Sequence, residues 1–313
     1  MPILVTPTAA PQPPQPPWEW PRRLVEMPKV AFTDPAGAVT TFTDWERGWV
    51  VQPGAKGLDM PSYTVTQDES PGIDGYEVRQ VRAQGKAITI PIAFWANDSR
   101  AAYKARRRAF IRSLNPKRGQ GTLTLTEPDG ATRSIGVLYT DGMEGDESLD
   151  AAGARWCITA LVFAVPSPYW TGSEVTTTWK TDVGGDFFPF LPLTVGDSQV
   201  LGAVTVDNDG DDNAFPVWTI NGPATSVTLS NITTGQTLVL TRTITGADTI
   251  VIDTRERRQT ALLNGTTNLW PDLSTDSTMW PLEPDTNQLT LTVAGSTAET
   301  SVRMTYQPRY LAA

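Results

Sequence analysis

Ile88, Ile90, Ile92 and Phe94 alternate with Thr89, Pro91 and Ala93, which places the large apolar groups on one face of a β-strand. Pro91 cannot donate to a ladder and predicts an edge position for that strand. Residues 122–126 alternate as well, Glu127-Pro128-Asp129-Gly130 supplies a turn, and residues 135–139 return, so this stretch predicts a β-hairpin. Residues 156–165 are apolar on both faces, the pattern of a strand at the centre of a packed sandwich. Cys157 then lies within a sheet, where a thiol behaves as a small hydrophobe.

The single helical pattern runs over about 98–114, with Asp98 or Ser99 as its cap and Asn115-Pro116 as its stop. Tyr103, Phe110, Ile111 and Leu114 fall on one side and predict packing on the sheet. Lys104, Arg106, Arg107, Arg108 and Arg112 occupy the other side, which reads either as the solvated face of an amphipathic helix or as a contact for an acidic partner or passing nucleic acid. Beyond Pro166-Ser167-Pro168-Tyr169-Trp170 the chain becomes Thr-rich. Short strands are predicted at 204–206, 217–220, 227–229, 238–240, 250–252, 289–293 and 302–306, the spacing of an antiparallel sandwich or jelly roll. No internal repeat is visible, which argues against a solenoid or propeller.

Three regions follow from this pattern. Residues 1–21 form a Pro-rich arm, in which the segment from Pro11 to Pro17 favours an extended polyproline conformation and Trp18 and Trp20 could dock on a neighbouring surface. Residues 22–170 form a β domain with one helix, and residues 171–313 form a β-sandwich domain. The 313 residues are enough for two cores. No apolar run reaches the roughly 20 residues that cross a bilayer, so no membrane partner is expected. Ile3-Leu4-Val5 is too brief for a signal-peptide core, so no export signal is expected.

Composition removes much of enzyme chemistry. There is no histidine, which excludes Ser-His-Asp and Cys-His catalysis, His-ligated metals and imidazole proton shuttles. One cysteine excludes an intrachain disulfide or a CxxC motif. A net charge of −9 disfavours a general nucleic-acid-binding surface.

Asp207, Asp209 and Asp211 place oxygen ligands at alternate positions around Gly210, as a calcium loop would, but the bidentate Glu of an EF-hand is missing. Turn preference explains the same residues, and no metal or other cofactor is expected. Asp253 and Glu256 are the best-placed carboxylate pair for glycoside hydrolysis, with no second feature marking a cleft. Gly184-Gly185 and the glycines at 72 and 75 lack the context of a phosphate-binding loop and read as turns. Trp218 is expected in the core, whereas Trp270 and Trp280, in a Pro-rich segment, are expected at the surface.

The order of these features resembles a known family. The strand with Arg79, Arg82 and Ile88 to Phe94, the helix ending in Leu114-Asn115-Pro116, the hairpin around Asp129-Gly130 and the run from Phe163 to Trp170 are similar to the N-terminal domain of distal tail proteins of siphovirus-type phages. Residues 206–210, 215–223, 250–254 and 280–291 are similar to the galectin-like sandwich of the same proteins. The resemblance implies a mainly β fold, with an N-terminal β-sandwich or split-barrel belt domain carrying one α-helix, followed by a C-terminal galectin-like antiparallel β-sandwich. It implies a structural virion protein at the tail tip, assembled in the host cytoplasm, and no enzymatic activity.

Its partners would be further copies of itself in a hexameric ring, the tail tube protein and the tail-tip protein, with the tape-measure protein and genome passing through the lumen. A cyclic ring needs heterologous edges rather than catalytic groups. The segment from Asp44 to Tyr76, long for a connection inside a compact domain, is expected to contribute to the subunit contact. The alternative is a carbohydrate-binding accessory module in host-wall attachment, although galectins rely on a histidine that this chain lacks. A hydrolase, or a related baseplate or tube component of different stoichiometry, completes the set.

Overall fold

A computed structural model describes residues 27–72, 74–144, 156–180 and 198–313. The Pro-rich arm at 1–21 with Trp18 and Trp20, and the Gly184-Gly185 turn, lie outside the described residues. The chain is mainly β, with one α-helix among the described residues.

The N-terminal unit contains β1 (Lys29–Thr33), β2 (Val39–Thr41), β3 (Trp49–Val51), β4 (Tyr63–Asp68), β5 (Glu77–Ala83), β6 (Lys86–Trp95), α1 (Arg100–Ser113), β7 (Gly121–Thr126), β8 (Thr132–Asp141), β9 (Trp156–Val165) and β10 (Trp170–Thr171). Its sheet runs β2-β1-β7-β8-β9-β6-β3. The alternation in β6 is realised, since Ile88, Ile90, Ile92 and Phe94 are all buried, and β7 and β8 pair as the expected hairpin. Ser99 caps α1 by accepting from the Ala102 amide, and Tyr103, Phe110 and Leu114 pack into an aromatic cluster with Phe42, Trp49 and Phe94.

The unit departs from its sequence pattern at three places. Strand β6 is internal, flanked by β9 and β3, although it carries Pro91. The Pro91 carbonyl accepts from Gln52 just past the end of β3, so the missing donor points where β3 has already ended and the ladder to β9 loses nothing. The β3 side resumes at a Lys56–Thr89 bridge, beside which Gly57 adopts φ +80 and brings its backbone so near Ala87 that a Cβ would collide with the Ala87 carbonyl.

Strand β9 is central in its sheet but not covered on both faces: Cys157, Thr159, Leu161, Phe163 and Val165 are buried, while Trp156 and Ile158 are exposed. Ile111 is also exposed rather than packed, because it lies at the margin of the apolar stripe of α1, about 80° round from Tyr103 at 100° per residue.

The C-terminal unit contains β11 (Val175–Lys180), β12 (Ser198–Asn208), β13 (Val217–Asn221), β14 (Ser226–Asn231), β15 (Gln236–Leu240), β16 (Thr249–Asp253), β17 (Thr260–Leu263), β18 (Thr267–Asn268), β19 (Asp285–Ala294), β20 (Ser301–Tyr306) and β21 (Arg309–Tyr310). Two antiparallel sheets, β11-β20-β13-β16-β17-β18 and β12-β19-β14-β15, face each other. Trp218, Ile220, Ile250, Ile252, Val302 and Met304 from the first meet Val227, Leu229, Leu238, Leu289, Leu291 and Val293 from the second. Every predicted strand of this half has its counterpart.

Trp280 corrects the sequence reading. It is buried, donates from Nε1 to the Leu229 carbonyl at 3.1 Å and meets Trp218 edge to face, because its Pro-rich segment folds across the end of the sandwich. Trp270 is exposed, as expected.

Candidate functional site

The residues singled out for chemistry do not converge on a catalytic centre. The Asp207 carboxylate accepts from the Thr286 hydroxyl at 2.7 Å, the Asp211 carboxylate accepts from the Leu311 amide at 2.9 Å, and the Gly210 amide next to Asp209 donates to Asn208. Among the described residues no group of three or more acidic or cysteine side chains could hold a metal ion. The residue that organises this turn is Asn208, buried in the sandwich, whose Nδ2 lies within reach of the carbonyls of Asp212, Leu282 and Glu283. Asn287 and Asn231 extend the network. Sequence reasoning finds the aspartates and misses these asparagines, whose signal is an amide that can donate and accept at once in a buried turn.

Asp253 and Glu256 are each held by an arginine. Asp253 accepts from the backbone and guanidinium of Arg255, with contacts from 2.6 to 3.1 Å, while Glu256 pairs with Arg309 at 3.1 Å. Burial pushes the Asp253 carboxyl up, but the hydrogen bonds and charge of Arg255 outweigh it and leave the group below the usual carboxylate range, the wrong direction for a general acid.

That pair gives a pH prediction. A depressed carboxyl adds stability above its unfolded pKa, and the gain is lost as pH falls through the folded value. Asp253→Asn is therefore expected to cost about 1–2 kcal/mol near neutrality. The gap from the parent protein should close as pH drops below the carboxylate range, which thermal melts across pH would record.

What the fold does present is a set of surfaces. The β4–β5 hairpin pairs with no other strand among the described residues, and almost all of its side chains are exposed. Tyr63 and Val65 stand opposite Ala83 and Val81 on one face, while Thr64 and Thr66 stand opposite Arg82 and Gln80 on the other. An isolated two-stranded hairpin is marginal in water, and this one leaves Val65 and Val81 exposed on its apolar face. The segment from Asp44 to Tyr76 is thus divided. Its first part joins the sheet through β3 and the Lys56 bridge, and its second part forms one side of this hairpin.

A second apolar surface lies on the uncovered face of β9 and β6, where Trp45 meets Trp95 edge to face beside Trp156 and Ile158 around an open groove of about 650 Å³. The basic face of α1 is a third. Arg106 is already used in holding the helix to the Arg47 and Trp95 carbonyls, whereas Arg108 and Arg112 are exposed.

The junction between the two units is tightly specified. Trp170 is fully buried and donates from Nε1 to the Leu58 carbonyl at 3.0 Å. Strand β21 returns from the end of the sandwich to pair with β10, so residues 309–313 lie against the N-terminal sheet. The Arg309 guanidinium lies 4.6 Å from the Phe215 ring centroid and 5.4 Å from that of Tyr169, and Arg133 lies 4.0 Å from that of Tyr310. Burial, then a hydrogen bond with Asp212, raises the Tyr169 hydroxyl pKa, so this phenol stays protonated. Arg309→Ala keeps the backbone pairing but removes the stacked cation. A loss of about 1–2 kcal/mol, with faster hydrogen exchange at the Gly172 and Asp211 amides and unchanged exchange in β16, is the expected result.

Residues 209–310 match the family model described as the siphovirus-type tail component, C-terminal domain. No curated protein matches the chain in sequence. Among solved structures the chain is similar to the Dit (gp 19.1) protein of phage SPP1, described as a paradigm of the hub adsorption apparatus in phages that infect Gram-positive bacteria. The TM-score is 0.61 at 14% identity, over 90% of this chain and 98% of that one. It is also similar to a chain of the phage P2 baseplate in its activated conformation with calcium, with a TM-score of 0.50 at 12% identity, over 89% of this chain and 98% of that one. The fold is that of the SPP1 Dit protein. The resemblance to siphovirus-type distal tail proteins is borne out, with the family's C-terminal domain at 209–310 and the Dit fold over nearly the whole chain.

Proposed function

We propose that this chain forms the distal hub ring of a long, non-contractile phage tail, joining the end of the tail tube to the tail-tip protein. Residues 22–170 act as the belt domain of each copy and the sandwich from 171 onward projects outward, with residues 309–313 strapping it to the belt. Six copies close the ring, and its lumen passes the tape-measure protein and the genome. The chain works by shape, without a bond-making or bond-breaking centre.

The observation that carries this reading is the hub fold over nine-tenths of the chain, combined with a hairpin that pairs with no other strand among the described residues and leaves Val65 and Val81 exposed on one face. A closed ring requires a surface that gives and a different surface that receives, and an exposed amphipathic hairpin is a giving surface. Sedimentation or mass photometry of the purified full chain tests it. A species of six times the 34.0 kDa chain mass is expected, and a single-chain species both in solution and on tail-tip templates would overturn the ring. The same preparation should show no turnover of cell-wall polysaccharide, and saturable hydrolysis would overturn the architectural role.

A further inference from the structure

The hairpin and the helix carry opposite, unbalanced charge. Between Gln67 and Glu77 the chain holds Asp68, Glu69, Asp74 and Glu77 and no base, while between Arg100 and Arg118 it holds only bases. Part of this charge is used internally: Asp68 pairs with Arg79, Arg106 binds two carbonyls, and Arg118 lies 3.9 Å from Asp34. Asp74 and Glu77 at the hairpin tip, and Arg108 and Arg112 on the helix, are exposed and have no ion-pair partner among the described residues.

Each charged pair surrounds an exposed apolar side chain. Tyr76, 59% exposed, lies between Asp74 and Glu77. Ile111, 42% exposed, lies between Arg108 and Arg112 in an open groove of about 520 Å³ that is also bordered by Asn115, Pro116 and Tyr139. An aromatic flanked by carboxylates matches an aliphatic spot flanked by guanidinium planes, which can stack on the ring and donate fork-like pairs of hydrogen bonds to the acids.

We propose that the tip of the β4–β5 hairpin of one copy docks on the α1 groove of a second copy, with Tyr76 seated on Ile111 and Asp74 and Glu77 facing Arg108 and Arg112. The proposal rests on the ring reading above and names the surface that receives the hairpin. The occupant is another copy because the two surfaces carry complementary charge yet do not meet within one chain, Asp74, Tyr76, Glu77, Arg108, Ile111 and Arg112 all being exposed. The contact is head-to-tail, the kind that closes into a ring.

Charge exchange in the full chain tests this. Arg108→Glu with Arg112→Glu, and separately Asp74→Arg with Glu77→Arg, are each expected to raise the concentration for half-assembly at least tenfold. All four changes together should restore it, which also shows that each altered surface still folds. Tyr76→Cys with Ile111→Cys should oxidise into covalent multimers, Cys157 being buried. Rings unaffected by either reversal, or a disulfide that joins positions 76 and 111 within one chain, would overturn the docking and leave the hub reading standing. So would duplex DNA binding that depends on Arg108 and Arg112 while assembly does not. A parent chain that never assembles would overturn both.

Discussion

A chain in which residues 63–83 are replaced by two glycines is expected to fold normally and to remain a single chain under conditions where the parent forms rings. The excision is geometrically mild, because the Gln84 amide already donates to the Ser62 carbonyl at 2.8 Å and the two ends of the cut are adjacent. Little stability should be lost, since β4 and β5 pair only with each other and contribute no buried side chain to either core. What is removed is the uncovered face of Tyr63, Val65 and Val81 together with the acidic tip. Thermal melts within about 2 °C of the unassembled parent, with the mass of one chain at concentrations where rings of the parent are expected, are the predicted outcome. Normal rings from the shortened chain would remove the hairpin from the subunit contact.

The largest effect on stability is expected at Trp280. The indole fills the end of the sandwich against Trp218, at 5.5 Å between ring centroids, and its Nε1 satisfies the Leu229 carbonyl. Truncation to alanine leaves a cavity that the rigid faces of β13 and β14 cannot close, at a cost of about 3–5 kcal/mol. The loss should be confined to the sandwich, because Trp280 belongs to the C-terminal core and the cluster of Phe42, Phe94 and Phe163 is separate. Calorimetry should therefore resolve a lowered transition for the C-terminal unit ahead of one near the parent temperature. Trp280→Phe, which keeps most of the apolar volume and drops the donor, should fall between the two. A single unshifted transition would show that the Pro-rich segment does not close the core.

The elements legible in the sequence are those in which one face is buried and the other is not. Strand β6, the β7–β8 hairpin and strands β13 to β16 show the two-residue period because every second side chain enters a core. Strand β4, inside the segment from Asp44 to Tyr76, reads as part of a long connection for the opposite reason: all its residues are exposed, so no side chain is singled out by burial in a core. Pro91 misleads because the edge rule considers one missing donor, whereas β3 happens to end opposite it. Trp280 misleads because a Pro-rich neighbourhood suggests surface, and only the buried Asn208, Asn231 and Asn287, which hold that segment by its carbonyls and by each other, reveal that it folds inward. The candidate surfaces are least legible, since an assembly face differs from an ordinary exterior only by which groups are left without partners.

The position of this chain in the assembled particle decides between a hub and any other role. A cryo-EM reconstruction of the tail tip should place its copies as a closed ring at the junction of tube and tip, with the N-terminal units around the lumen, the sandwiches outside and each hairpin reaching the next copy. Density for a single isolated copy, or for this chain only at a site away from that junction, would contradict it.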